Sequence, residues 1–279
     1  MMRSGILFVA FAITGCSYLH SGSAGTGAAP EPEAKAARPS TAKSPGAGLH
    51  LTSAPDLLQA MHDRYDGKYL KTVSFLQNNI QYRSTGQEEK SQWYEHIEAP
   101  GKLRIAFLPA TRKSGLVQVD DRVASFDNGI RVDFRRSINP LLLLTSDVYA
   151  APMTVITRTL DSLHVNMGIM RNDEWEGDAV YVIGAKAGDT TSNQLWVDRD
   201  HLRLVRFIQS QKAGDRTMVS DTRVRGYKEI DGFDIPTEFL LLRNGRPVWR
   251  QESADVRING EFPAGTFDQA RWNDIPIPQ

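Results

Sequence analysis

The sequence has one cysteine, Cys16, among 279 residues. An intramolecular disulfide is therefore excluded, and the thiol is an inert core group, a reactive group or a point of attachment. Long hydrophobic runs are also missing near the start. The run after Gly5, "ILFVAFAI", holds eight apolar residues, which would rise only about 12 Å as a helix where roughly 20 residues are needed to span a bilayer. This argues against a permanent transmembrane helix there. Charge of one sign is not in excess either, with 33 basic and 33 acidic residues. That balance gives no support for nucleic-acid binding through phosphate contacts.

Catalytic signatures are equally scarce. The six histidines, His20, His50, His62, His96, His164 and His201, include no two at the short spacings typical of metal ligands. Neither a Gly-rich phosphate loop nor a G-x-S-x-G elbow occurs. "DRDH", Asp198 to His201, reads as a polar turn between strands, with a cation site as the alternative. His62 sits on an expected helix, solvated or partnered, or else turned toward a cavity. The expectation is a protein without catalytic activity, metal or cofactor.

What is present begins with a processing signal. Arg3 followed by the short apolar run has the layout of a secretory signal. The tetrapeptide Ile13-Thr14-Gly15-Cys16 resembles the lipobox of bacterial lipoproteins, in which the chain is cut before the cysteine and the cysteine is acylated. The resemblance implies a signal peptide over residues 1–15 and lipidation at Cys16. Acyl chains at one residue would anchor the protein stably, because each buried methylene contributes about 0.8 kcal/mol. Ser17 rather than Asp after the cysteine implies, by the enteric sorting rule, the outer membrane, facing the periplasm. Removing residues 1–15 takes away only Arg3, so the charge stays within one unit of zero.

Residues 16–53 are rich in Ala, Gly, Ser and Pro with few large apolar groups, a composition that cannot offset its own ordering entropy. They read as a disordered tether with a reach of roughly 30–36 Å. Residues 54–279 are long enough for one domain with a sizeable core. "SAPDLLQAMHDRYDGKY" predicts an amphipathic helix capped by Ser53, with Leu57, Leu58, Met61 and Tyr65 on one side and Gly67 at its end.

Most of the rest is strand-like. In "KLRIAFL", Leu103, Ile105 and Phe107 share one face and Lys102, Arg104 and Ala106 the other. Turn signals recur at Pro100-Gly101, Asp120-Asp121, Asp127-Asn128-Gly129, Asp231-Gly232 and Asn244-Gly245. They divide the sequence into ten to twelve strands, joined mainly as antiparallel neighbours. A two-residue turn at Asn244-Gly245 pairs Leu241 with Val248 and Leu240 with Trp249, so both faces of that hairpin are apolar. A sheet with one covered face would not need this. Pro140, the four leucines 141–144, Pro152 and the set Val155, Ile156, Leu160 and Leu163 predict two short helices between strands. Four consecutive leucines cannot all face one side of a helix, so at least one is expected to turn away from the sheet as a lid or membrane contact.

Three segments, "WYEHIEAPGKLRIAFL", "QLWVDRDHLRLVRFIQ" and "GYKEIDGFDIPTEFLLLRNGRPVWRQESADVRIN", in that order, resemble the outer-membrane lipoprotein carrier and receptor superfamily, the LolA/LolB-like proteins that include the amino-terminal domain of RseB. The resemblance covers about residues 54–270. It implies a mainly β (α+β) fold, a curved antiparallel half-barrel with helices on its concave side and an apolar cavity between them that takes acyl chains. Trp93, Leu103, Ile105, Phe107, Leu142, Leu143, Trp196 and Trp249 either line such a cavity or form plain core. The functional expectation is an anchored envelope lipoprotein that binds a lipid, an acylated protein or another apolar ligand. The alternative is an envelope interaction or stress-sensor module with a protein partner.

Overall fold

The computed structural model describes residues 44–277. Cys16, the expected signal peptide and the expected tether up to residue 43 lie outside the described residues. The last stretch of the expected tether packs on the domain. The Gly46 amide donates to the Asp200 carbonyl at 2.8 Å, and the Tyr181 hydroxyl donates to the Leu49 carbonyl at 3.1 Å. A Cβ at Gly46 would stand 1.8 Å from the Arg199 carbonyl oxygen, so only glycine fits there.

The chain opens with helix α1 (Ala54–Asp63), where the Ser53 hydroxyl accepts from the Asp56 amide at 3.3 Å, as its cap position predicts. Six strands follow: β1 (Thr72–Tyr82), β2 (Glu88–Glu98), β3 (Lys102–Phe107), β4 (Ser114–Val119), β5 (Arg122–Asp127) and β6 (Ile130–Arg136). Helices α2 (Pro140–Thr145) and α3 (Met153–Ser162) come next, with one 3-10 turn between them. The second run of strands is β7 (Met170–Trp175), β8 (Asp178–Ile183), β9 (Gln194–Asp198), β10 (Arg203–Ala213), β11 (Arg216–Arg225), the short β12 (Lys228–Ile230) and β13 (Phe233–Ile235), then β14 (Glu238–Arg243) and β15 (Arg246–Ile258).

Among the described residues, thirteen of these strands form one curved antiparallel sheet in the order β6-β5-β4-β3-β2-β1-β15-β14-β11-β10-β9-β8-β7, and β12 pairs with β13. The total exceeds the ten to twelve expected. The chain starts in the middle of the sheet, runs out to one edge and crosses through α2 and α3 to the other. It then works back until β15 closes beside β1. The two edges, β6 and β7, do not pair with each other, so the sheet is a half-barrel and not a closed one.

The helices fill the inner face over the second run of strands. Leu57, Leu58 and Met61 of α1, Leu143 and Leu144 of α2, and Ile156 and Leu160 of α3 pack with Tyr181, Leu195, Val197, Leu204, Phe207 and Val224. Alternation along the strands selects this set, because every second residue faces inward. None of the four leucines is exposed. Leu142 packs toward β2 and β3, Leu143 and Leu144 pack in the helical cluster, and Leu141 lies half-buried against that cluster. A six-residue helix wedged between two clusters is buried on more than one side, so no leucine turns out to solvent.

The turn at Asn244 (φ 49°) and Gly245 (φ 77°) is the expected tight hairpin, but its register departs from expectation. Arg243 opposes Arg246 and Leu242 opposes Pro247. A bulge then takes up Val248, so that Leu241 opposes Trp249 and Leu240 opposes Arg250. Leu241 and Trp249 therefore share the inner face.

The outer face of the first run of strands is covered by the chain's last segment. Trp272 stacks on Phe126 with centroids 4.5 Å apart and planes at 4°, sealing Ala106, Val117 and Ala124. A Cβ at Gly115 would lie 2.7 Å from the Trp272 ring and 2.0 Å from the Ile105 carbonyl, so the close approach requires glycine. Arg104, turned outward as its alternation predicts, lies 4.0 Å over the Trp272 ring and donates to the Thr266 and Trp272 carbonyls.

Candidate functional site

The strand register brings an aromatic and aliphatic wall together on the inner face of β2 to β5 and β14 to β15. Trp93 opposes Phe107, Leu103 opposes Ile97, and Ile105 opposes Leu116 on its other side. Trp93 has ring centroids 5.1 Å from Phe107 and 5.3 Å from Trp249. From α2, Leu142 alone joins this cluster. The Asn139 side chain fixes the start of that helix, accepting from the amides of Leu141 (3.0 Å) and Leu142 (3.1 Å).

Six of the eight residues singled out from the sequence thus meet: Trp93, Leu103, Ile105, Phe107, Leu142 and Trp249. Leu143, one step along α2, packs in the neighbouring helical cluster. Trp196 does not join either group. Its neighbours Leu195 and Val197 face the helices, so alternation turns Trp196 to the outer face. There it packs with Val180, Val182 and Trp175 and donates from Nε1 to Gln194 at 3.0 Å.

Polar groups are set into this wall. Glu95 lies between Phe75 on β1 and Ile105 on β3, one step from Trp93 and Ile97 on the same face, and is 7% exposed. Burial with no compensating partner pushes its carboxyl up to about 8. Diagonally across from it, Gln77 donates from Nε2 to Asn79 (2.6 Å) and Gln251 (3.3 Å), while its Oε1 accepts no hydrogen bond. Glu95 is not among the residues expected from the sequence. The signal was available in "WYEHI", where alternation puts a carboxylate between Trp93 and Ile97.

The cover over the wall is thin and tied at both ends. Pro140 at the start of α2 lines a cavity of about 280 Å³ shared with Asp121, Arg136, Ile138, Leu163 and Gln209. Beyond its end, Asp147 accepts from the Gly101 amide at 3.0 Å. Burial pushes the Asp147 carboxyl up to about 7, against the pull of that hydrogen bond. The Tyr69 hydroxyl holds the Thr145 carbonyl at 3.1 Å.

The other candidates resolve into structural roles. Asp198 caps the turn that follows it, accepting from the amides of Asp200 and His201 and lying 2.9 Å from His201 Nδ1. Arg203 then links Asp198 to Asp234, which also pairs with Arg64 at 2.5 Å. "DRDH" is a polar turn whose Asp198 is tied to the Arg203, Asp234 and Arg64 ion pairs. His62 lies against Asp63 at 3.1 Å, away from the wall. Among the described residues no group of three or more His, Cys, Asp or Glu side chains is placed to hold a metal ion, and no helix is long and apolar enough to cross a membrane.

No protein-family model and no curated protein matches the sequence. Solved structures do match the fold. A LolA superfamily protein from Nitrosomonas europaea superposes with a TM-score of 0.51 at 15% identity, covering 79% of this chain and 99% of its own. The fold is that of the LolA superfamily. A proposed outer membrane lipoprotein-sorting domain from Vibrio parahaemolyticus gives 0.53 at 9% identity, covering 78% of this chain and 97% of its own. A DUF1329 family protein from Desulfovibrio piger gives 0.54 at 14% identity, covering 79% and 98%.

Proposed function

We propose that this protein is an envelope lipoprotein that binds an acyl chain, or an apolar ligand of similar shape, against the inner wall of its LolA-like half-barrel. Cys16 carries the lipid that holds it to the outer membrane, with the domain in the periplasm. The observation that carries the reading is the wall of Trp93, Leu103, Ile105, Phe107 and Trp249, covered from α2 by Leu142 alone, with a cavity at the start of that helix. Burying a chain there supplies about 0.8 kcal/mol per methylene with little demand for polar geometry. That a protein of the same fold is linked to lipoprotein sorting supports an acylated protein as one such ligand. The reading includes no catalytic step.

Native mass spectrometry of the gently purified protein, joined to uptake of a fluorescent acyl probe, tests it. A bound acyl species is expected, and Leu142→Ala should speed probe uptake several-fold by loosening the cover. A clean ligand-free mass together with no probe uptake would overturn the reading.

One observation favours a second reading, an interaction module with a protein partner. Edge strand β6 presents Ile130, Val132 and Phe134 at 68%, 54% and 55% exposure, and an unpaired apolar edge is a template for strand addition. A Phe134→Lys variant that keeps probe uptake but loses an envelope partner in cross-linking would place the partner there.

A further inference from the structure

We infer that Glu95 and Gln77 form a polar anchor in the inner wall for an apolar ligand carrying a protonated primary amine. The inference rests on the inner wall being the ligand site. It adds the chemistry of the ligand's head.

A carboxyl and an amide oxygen stand on adjacent strands of one face with no protein cation or N–H donor on either among the described residues. Glu95 is more than nine-tenths buried, and burial alone acts on its carboxyl, with no charge or hydrogen bond opposing it among the described residues. The Gln77 Oε1 is buried and accepts nothing. Their strands fix them as neighbours: Phe75 opposes Glu95 and Gln77 opposes Trp93, so Gln77 is the diagonal neighbour of Glu95 on the inner face. The cations close by in the chain are committed elsewhere. Arg104 faces outward over Trp272, and Lys102 pairs with Glu98.

A buried carboxyl with no partner is costly, and a fold that keeps one in an otherwise apolar wall already carries most of the desolvation that an ion pair demands. The missing group must bring donors. A carboxylate or an ester brings none, so it could only accept from the O–H of neutral Glu95 and would leave Gln77 Oε1 unpaired, and a hydroxyl brings one. An ammonium brings three, with the charge that lets Glu95 release its proton and ionise. The surrounding Trp93, Phe75 and Ile105 then receive the apolar part of the same ligand. The raised carboxyl of Glu95 is consistent with a group held neutral until a cation arrives.

Three twelve-carbon probes, dodecylamine, dodecanol and dodecanoate, separate the possibilities when each displaces a hydrophobic fluorophore from the purified protein at pH 7.5. The amine should bind at least tenfold more tightly than the alcohol, and the carboxylate least tightly. Glu95→Gln should bring the amine down to the alcohol while leaving the alcohol within about twofold. Gln77→Met should lower the amine-to-alcohol preference by a few fold, and a far-ultraviolet circular dichroism spectrum matching the native protein guards against a variant that simply misfolds. If the native protein binds amine and alcohol alike, or Glu95→Gln keeps the amine preference, the anchor is refuted while the wall stands as an acyl site. If none of the three displaces the fluorophore, the acyl-site reading fails and the anchor falls with it.

Discussion

The two halves of the sheet solve the same problem in opposite ways. In the half built from β1 to β6, the inner wall has a thin cover and the outer face is sealed by Trp272, Phe267 and Ile277 from the chain's last segment. In the half built from β7 to β11, the inner face is filled by α1, α2 and α3, and the outer face is a ladder of rings and guanidinium groups. There Arg206 lies 4.2 Å over Trp175 and 4.9 Å over Trp196 and pairs with Asp221 through two bonds of 2.8 Å. A strand needs one well-packed face to stay in place. The first half has a packed outer face that α2 does not join, so uncovering its inner wall is expected to leave the half standing. The second half has that face on the inside and could not release its helices. The half with the candidate site is the one whose core does not depend on the cover.

Removing the outer seal should therefore be the most damaging single change. Trp272→Ala leaves a cavity against Phe126 and Gly115, removes the ring under the Arg104 guanidinium and breaks the hydrogen bond from Trp272 Nε1 to the Lys113 carbonyl at 3.0 Å. A loss of about 3–5 kcal/mol is expected for a buried tryptophan, measured by urea unfolding. A loss under about 1 kcal/mol would show that the last segment merely rests on the first half.

The next effect concerns pH and again falls on the first half. Glu95 is held at about 8 against an ordinary value of 4.5, so the folded state binds its proton more tightly than the unfolded chain does. The stability from this group is complete below about pH 4.5 and is lost as pH rises through 8. Glu95→Gln should match the native protein near pH 4 and exceed it at pH 9 by up to about 5 kcal/mol. On the other face of the same strand, His96 has the opposite sign. Burial first, then the nearby Arg104, lowers it from 6.5 to about 4, so its contribution is complete above pH 6.5 and is lost as pH falls through 4. Thermal unfolding across pH 4–9 for the native protein, Glu95→Gln and His96→Phe reads both signs. Parallel curves for all three would remove β2 as the pH-sensitive element.

The sequence makes the walls of this arrangement legible and hides how the walls meet. Alternation in "KLRIAFL" places Leu103, Ile105 and Phe107 on one face and Arg104 on the other, and the structure agrees. The Ser53 cap and the helices at Pro140 and Pro152 are equally readable, because capping and helical spacing are local. What local rules cannot supply is register and long-range pairing. Trp196 looked equivalent to Trp93 and Trp249 as a large apolar residue in a strand, yet which face it takes depends on the pairing of β9 with β8 and β10. The bulge at Val248 moved Trp249 from Leu240 to Leu241 for the same reason. The outer seal was invisible because Phe126 and Trp272 stand far apart in the chain, and nothing local announces their stacking.

The smallest effect sharpens the contrast most directly. Trp175 on the second half is the counterpart of Trp272: an aromatic ring on the outer face, with Arg206 at 4.2 Å and Arg223 at 5.3 Å over it and Trp196 at 5.5 Å. It is only half-buried, and the guanidinium groups around it stay paired with the Asp221 carboxylate. Each cation–ring contact at such a site contributes about 0.5–1 kcal/mol, and the charges can rehydrate once the ring is gone. Trp175→Ala should therefore cost about 1 kcal/mol by the same urea measurement, a fraction of the loss at Trp272, and should leave acyl-probe uptake unchanged. If the two tryptophans cost the same, the outer face of the second half is as much a core as that of the first. The helices would then be free to leave either half, and the cover over the candidate site would lose the special position that the asymmetry gives it.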